Sequence, residues 1–266
     1  MKWLNGILHT PSMEYGNIIY FTEDKYGKIL VIDYKGHRTL NFDSPFEQSA
    51  MLIDQPYKLV HQYTQLMLLV LAFIQPSHIT LFGLGGGSML RTLHQVLPNC
   101  AFKILELRQK VVDTAYEYFD IPHDKQRVEI IVNDALIEMN NCENHSTDII
   151  FSDMYDAYQM IPEQGQTTFL KNCARQLTNN GWLVINLHHS PHDNATFLEL
   201  LMETFPTVIM STNKINTIVY LSNCRPNLIN TNLQTIKVAE TLLQQKFIPL
   251  MHRLRPSNFV FQQPIF

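Results

Sequence analysis

The sequence predicts an α/β fold, with a seven-stranded, mostly parallel sheet, helices on both faces and a small antiparallel β meander in front. Three observations carry this. From residue 78 onward, apolar runs of strand length alternate with segments of helical periodicity. Strands joined through helices lie parallel, with the helices covering both faces. Near the end, "TVIMS" (207–211) and "TIVYL" (217–221) are too close for a crossover and pair as an antiparallel hairpin.

The elements run in order. "NIIYFTED", "KILVID" and "HRTLNF", within 17–41, read as two or three short strands joined by the turn-like "KYG" and "YKG". A meander this small is not stable alone and packs on the rest of the chain. Residues 46–54 give no assignment. Residues 56–74 read as a helix, with Leu59, Tyr63, Leu66, Met67 and Val70 at three-to-four spacing. Then come strand "HITLFG", helix "SMLRTLHQVL" ending before Pro98, strand "AFKILEL", helix "QKVVDTAYEYF" and strands "RVEIIVND" and "TDIIFSD". Helix "TTFLKNCARQL", stopped by "TNNG", strand "GWLVINL" and helix "NATFLELLMETF" lead into the hairpin. An amphipathic helix (232–247) and an irregular, proline-bearing tail close the chain. The division expected is 1–54 for the meander, 55–223 for the α/β domain and 224–266 for the helix and tail.

Composition narrows the function. The 266 residues are 45% apolar and 17% charged, enough for a substantial core. A net charge of −4 without a long basic run argues against nucleic acid as a partner. Four scattered cysteines, with no CxxC spacing, argue against a zinc site or a disulfide framework and for a cytoplasmic protein. The start is too weakly apolar for a signal peptide. The most apolar run, "LMLLVLAFI", is far short of the roughly twenty residues a membrane helix needs.

Four of the ten glycines fall in "GLGGGSML", between the first parallel strand and its helix. Ligands of open parallel sheets bind beyond the carboxyl ends of the strands, where backbone amides and a helix N-terminus favour them. The dinucleotide fingerprint GxGxxG does not fit, because its sixth position falls on Ser88 or Leu90; the spacing is GxGxG, through Gly83, Gly85 and Gly87. Glu106 ends the second strand and is suited to bind paired ribose hydroxyls. Asp134 ends the third strand, and Asp153 and Asp156 come just after the fourth. Singly, each acid reads equally as a helix cap; together with the glycine loop they point to a nucleoside site.

On these residues the sequence resembles the spermidine synthase family, within the class I S-adenosylmethionine-dependent methyltransferase fold (Rossmann-like). The resemblance runs from about Tyr15 to Tyr220 through "GLGGGSMLRTL", "LELRQKVVDTAYEYF", "VNDALIEM" and "DIIFSDMYDAYQMIP". It implies that Gly83, Gly85 and Gly87 line the methionine side of S-adenosylmethionine or its decarboxylated form. It further implies that Glu106 binds the ribose, and that Asp134, with Ala135 beside it, faces the adenine. Leu107 reads as packing, although the position after the ribose acid touches adenine in this fold. Asp153 and Asp156 match the family's D-x-x-D loop, the second being its base and amine anchor. The reaction so implied is aminopropyl transfer to an amine acceptor by a homodimer, without a metal. A carboxylate there makes chemical sense, since an attacking alkylamine has to lose the proton it carries at neutral pH.

Three departures bear on the substrate. The family's aspartate after the glycines is Ser88 here, its Tyr-His pair aligns with Gln48 and Ser49, and its later Tyr-Pro-Ser-Gly segment has no counterpart. Three readings stay open: an aminopropyltransferase, a methyltransferase with a small acceptor, and a non-catalytic nucleoside-binding homologue. Tyr155 and Tyr158 either gate the acceptor pocket or cap their loop. Residues 159–166 read as a mobile cover, and "HHSPH" (188–192) as a loop rather than a metal site.

Overall fold

The computed structural model describes residues 16–43, 47–155, 161–188 and 190–257. The first four strands, β1 (Asn17–Asp24), β2 (Gly27–Tyr34), β3 (His37–Asn41) and β4 (Glu47–Leu52), form an antiparallel sheet in chain order. The stretch around 46–54, unassigned from sequence, thus supplies a fourth strand. Its alternation is masked because Ser49, Ala50 and Met51 are buried in succession.

The expected helix over 56–74 is shorter. Only α1 (Gln62–Met67) is α-helical, and Leu68–Ala72 tightens into a 3-10 turn with all five residues buried. The main sheet then builds from β5 (His78–Phe82), α2 (Ser88–Val96), β6 (Ala101–Glu106), α3 (Gln109–Tyr118), β7 (Val128–Val132), α4 (Ala135–Glu138) and β8 (Thr147–Ser152). It continues through α5 (Thr167–Gln176), β9 (Leu177–Leu187), α6 (Ala195–Thr204), β10 (Thr207–Thr212) and β11 (Thr217–Ser222). Last come α7 (Gln234–Leu243) and the two-residue β12 (Arg255–Pro256).

The strand order is β7-β6-β5-β8-β9-β11-β10-β12, parallel from β7 to β9 and antiparallel beyond. This is the α/β architecture expected, with β12 from the proline-bearing tail added as an eighth strand. "TNNG" does not interrupt the chain as a turn. β9 runs through it from Leu177, and the extra residues appear as a register irregularity against β8.

The near-continuous apolar strands result from burial on two faces. Ile149, Phe151, Ile218 and Tyr220 pack one way, with Leu66–Ala72, α2 and α7. Ile150, Val219 and Leu221 pack the other way, with α5 and α6. The meander has a core of its own, in which Ile29, Val31, Leu40 and Met51 close over Val111 of α3 and Phe119, which caps its C-terminus. Arg38 donates to the carbonyl of Tyr118, and Tyr20 stacks on its ring. These contacts bring β4 beside the carboxyl edge of β5 and β6.

Candidate active site

Three loop glycines, Gly83, Gly85 and Gly87, have φ of 90°, 53° and 69°, conformations costly for any residue with a Cβ. The loop is also crowded. A Cβ on Gly87 would stand 2.2 Å from Ile121, and one on Gly83 3.0 Å from the carbonyl of Asp153. Gly86 is held by contact rather than by φ, since its Cβ would meet Ser49 and Phe119 at about 3 Å. Gly87→Ala is therefore expected to cost about 3 kcal/mol, combining strain and overlap. At Gly85 the nearest atom is 3.8 Å away, so Gly85→Ala is expected to cost only the backbone term, about 1 kcal/mol. Denaturant unfolding of the two variants checks the difference.

Glu106 lies under this loop and is buried. One carboxylate oxygen accepts from the amide of Leu84 at 2.9 Å, and the other from the amide of Arg108 at 2.9 Å. Burial raises its pKa above the usual carboxylate range, while the amides of Leu84, Arg108 and Gly85 oppose that rise. Arg108 is itself buried. It holds Asp24 through two bonds of 3.1 and 2.9 Å and the carbonyl of Gly27, tying the meander to the glycine loop.

The other predicted residues fall around this centre. Asp134 caps α4 by accepting from the amide of Leu136 at 2.8 Å, and Ala135 beside it is buried. Leu107 is exposed rather than packed, which fits contact with a flat ligand. Ser88 is buried at the start of α2. Gln48 is half-buried on β4, and its neighbour Ser49 is the residue that touches the loop. Asp156 and Tyr158 lie outside the described residues. The segment read as a mobile cover is anchored over its described part: Gln164 is fully buried, accepts from Ser152 and donates to the carbonyl of Met154 at 2.8 Å.

Asp153 is the second charged centre. One oxygen accepts from the Tyr63 hydroxyl at 3.1 Å and the other from Asn186 Nδ2 at 2.9 Å. Asn186 is fixed in turn by Asn216, whose Nδ2 donates to its Oδ1 at 2.9 Å, and by the Tyr155 hydroxyl, which donates to its carbonyl at 3.1 Å. Both hydrogen-bond partners of Asp153 are neutral, and burial raises its pKa. Sequence reasoning missed Asn186 and Asn216, and took Tyr63 for a core position. Their role comes from tertiary placement, for which the sequence carries no local signal. Among the described residues no group of three or more His, Cys, Asp or Glu side chains could hold a metal, and no helix is long and apolar enough to cross a membrane.

Known proteins show what the chain is similar to. A polyamine aminopropyltransferase of Neisseria meningitidis is 32% identical over 170 residues, covering 63% of this chain and 64% of that protein. Over that stretch the chain is similar in sequence to polyamine aminopropyltransferases. The spermidine synthase-like match thus spans just under two thirds of the relative's length. No family model matches. A chain described as a probable spermidine synthase, from Corynebacterium glutamicum, superposes with a TM-score of 0.68 at 20% identity, over 85% of this chain and 86% of that one. Human methyltransferase-like protein 13, solved in complex with SAH, superposes with a TM-score of 0.56 at 20% identity, over 75% of this chain and 94% of that one. These spermidine synthase-like and methyltransferase neighbours share the fold.

Proposed function

We propose that the chain is a transferase that binds a sulfonium nucleoside at the glycine loop and passes an aminopropyl group from decarboxylated S-adenosylmethionine to an amine. The observation that carries this is Asp153: a partly buried carboxylate whose side-chain hydrogen-bond partners are neutral, at the foot of a loop in which Gly83, Gly86 and Gly87 leave no room for side chains. A partly buried negative charge whose hydrogen-bond partners are both neutral favours a cationic ligand. The donor set fits a sulfonium nucleoside: amides and Glu106 for the sugar, Asp134 and Ala135 for the base, and Asp153 for positive charge. Such a co-substrate supplies an activated carbon. The chain supplies placement and a site for the acceptor's charge, with Asp156 as amine anchor and base by resemblance. Gln48, Tyr155 and Tyr158 complete the acceptor side, and a homodimer is the assembly the resemblance implies.

Ser88 favours a second reading. Without a carboxylate after the glycines, the site has less reason to select the decarboxylated form, and methyl transfer from ordinary S-adenosylmethionine becomes the alternative. Calorimetry with the two sulfonium forms, with product analysis, separates the readings. Binding of the decarboxylated form alone excludes methyl transfer from the ordinary form, and binding of neither excludes both.

The charge on Asp153 is tested separately. Asp153→Asn keeps the shape and removes the charge. Because the folded pKa is raised, the ligand-free chain holds this proton more tightly than the unfolded chain, and the ionised carboxylate is a stability cost as pH rises through that pKa. The variant is therefore expected to melt no lower than wild type near pH 7. Its affinity for the sulfonium is expected to fall about tenfold while that for the thioether methylthioadenosine holds. In wild type the preference for sulfonium over thioether should grow as pH rises through the Asp153 pKa. Calorimetry as a function of pH reads both effects.

A further inference from the structure

His61 immediately precedes α1 and stacks on Tyr63, with ring centroids 5.7 Å apart and planes 17° apart. Tyr63 is the residue whose hydroxyl donates to Asp153. The His61 Nε2 is buried and has no hydrogen-bond partner. Buried polar atoms are almost always paired, and leaving one unpaired is costly. The ring lies within electrostatic reach of Asp153, so a ligand held at Asp153 is placed to complete it.

The titratable groups around His61 are Glu47 at the start of β4, Asp153 after β8 and Tyr63 on its own helix. Tyr155 and His188 lie close to Asp153. Burial lowers the imidazole pKa, against the pull of Glu47 and Asp153, so the ring is mainly neutral at pH 7. A neutral ring nitrogen without a hydrogen accepts an N–H and cannot pair with a carboxylate or phosphate oxygen.

We propose that His61 is an acceptor-site residue whose Nε2 accepts one N–H of the incoming alkylamine, orienting the nitrogen lone pair towards the sulfonium carbon. The proposal rests on the transferase reading above. It requires the tautomer with the hydrogen on Nδ1, and it makes the acceptor an amine rather than an acid.

Two variants test it. His61→Phe keeps the ring stack and removes the nitrogen; His61→Gln restores an acceptor in a different shape. The probe is 1,4-diaminobutane titrated into protein loaded with methylthioadenosine, together with nitrogen NMR of the His61 ring in wild type. We expect His61→Phe to weaken amine binding about tenfold and to raise KM more than it lowers kcat, with nucleoside affinity unchanged. His61→Gln should recover part of the loss, and the Nε2 resonance should shift when amine is added. Amine binding by His61→Phe equal to wild type, or an Nε2 signal indifferent to amine, overturns the proposal even if His61→Phe fails to fold and only the NMR arm is read. Wild type that binds nucleoside but no amine overturns it too and leaves the nucleoside site standing. Wild type that binds no nucleoside removes the transferase reading first, and the role of His61 with it.

Discussion

On the proposed reading, Glu106→Ala is expected to weaken methylthioadenosine binding about a hundredfold, because the ribose hydroxyls would lose a charged acceptor. The same substitution strips the amides of Leu84 and Arg108 of their acceptors. The glycine loop then loses the support that holds it open to a ligand, and stability is expected to drop by about 2 kcal/mol. Glu106→Gln separates the two contributions. It keeps the volume and one acceptor oxygen but turns an amide nitrogen towards the other N–H, so an intermediate loss of about tenfold is expected. Titration calorimetry and thermal melting of the two variants check this. Unchanged nucleoside affinity in Glu106→Ala would remove Glu106 from the site.

Arg91→Ala has a large expected effect on folding, comparable to that of Gly87→Ala. Arg91 is buried one turn into α2, and it binds the carbonyls of Pro56 at 2.9 Å, Phe119 at 2.7 Å and Gly86. It thereby joins the approach to α1, the end of α3 and the glycine loop. Burial lowers its pKa to about 10, so it remains charged at neutral pH. Its Nη2 has no partner, which subtracts from what the residue contributes. Removal leaves three carbonyls and a cavity, for an expected loss of about 3 kcal/mol. For a chain of this size that corresponds to a fall in Tm of roughly 6–12 °C. Arg91→Lys keeps a charge but cannot span three carbonyls, and most of the loss should remain. Denaturant unfolding giving less than about 1 kcal/mol for Arg91→Ala would show that the loop is held by its glycines alone.

What could be read from the chain was set by how local each signal is. The parallel strands were legible because burial on both faces leaves uninterrupted apolar runs, as in "HITLFG" and "GWLVINL". The same property overextended the helix at 56–74. Leu68–Ala72 is buried all round, so hydrophobicity there does not distinguish an α-helix from a 3-10 turn. β4 stayed hidden because Ser49 is buried against a glycine rather than exposed to water. At the site, the glycine loop and Glu106 stood out by spacing and strand-end position. Gly86 belongs to the glycine cluster but falls outside the GxGxG spacing, and its need for small size comes from Ser49 and Phe119, distant in sequence. Tyr63 fell on an apolar stripe although its hydroxyl reaches Asp153, and nothing in "VINLH" or "TNKIN" marks Asn186 and Asn216 as the pair that fixes that carboxylate.

The most direct test is a crystal structure of the protein with methylthioadenosine. The sugar hydroxyls should lie within hydrogen-bond distance of Glu106, and the sulfur should sit over Gly83–Gly87 on the side of Asp153. A nucleoside bound elsewhere, with Glu106 still bonded only to the amides of Leu84 and Arg108, would contradict the account.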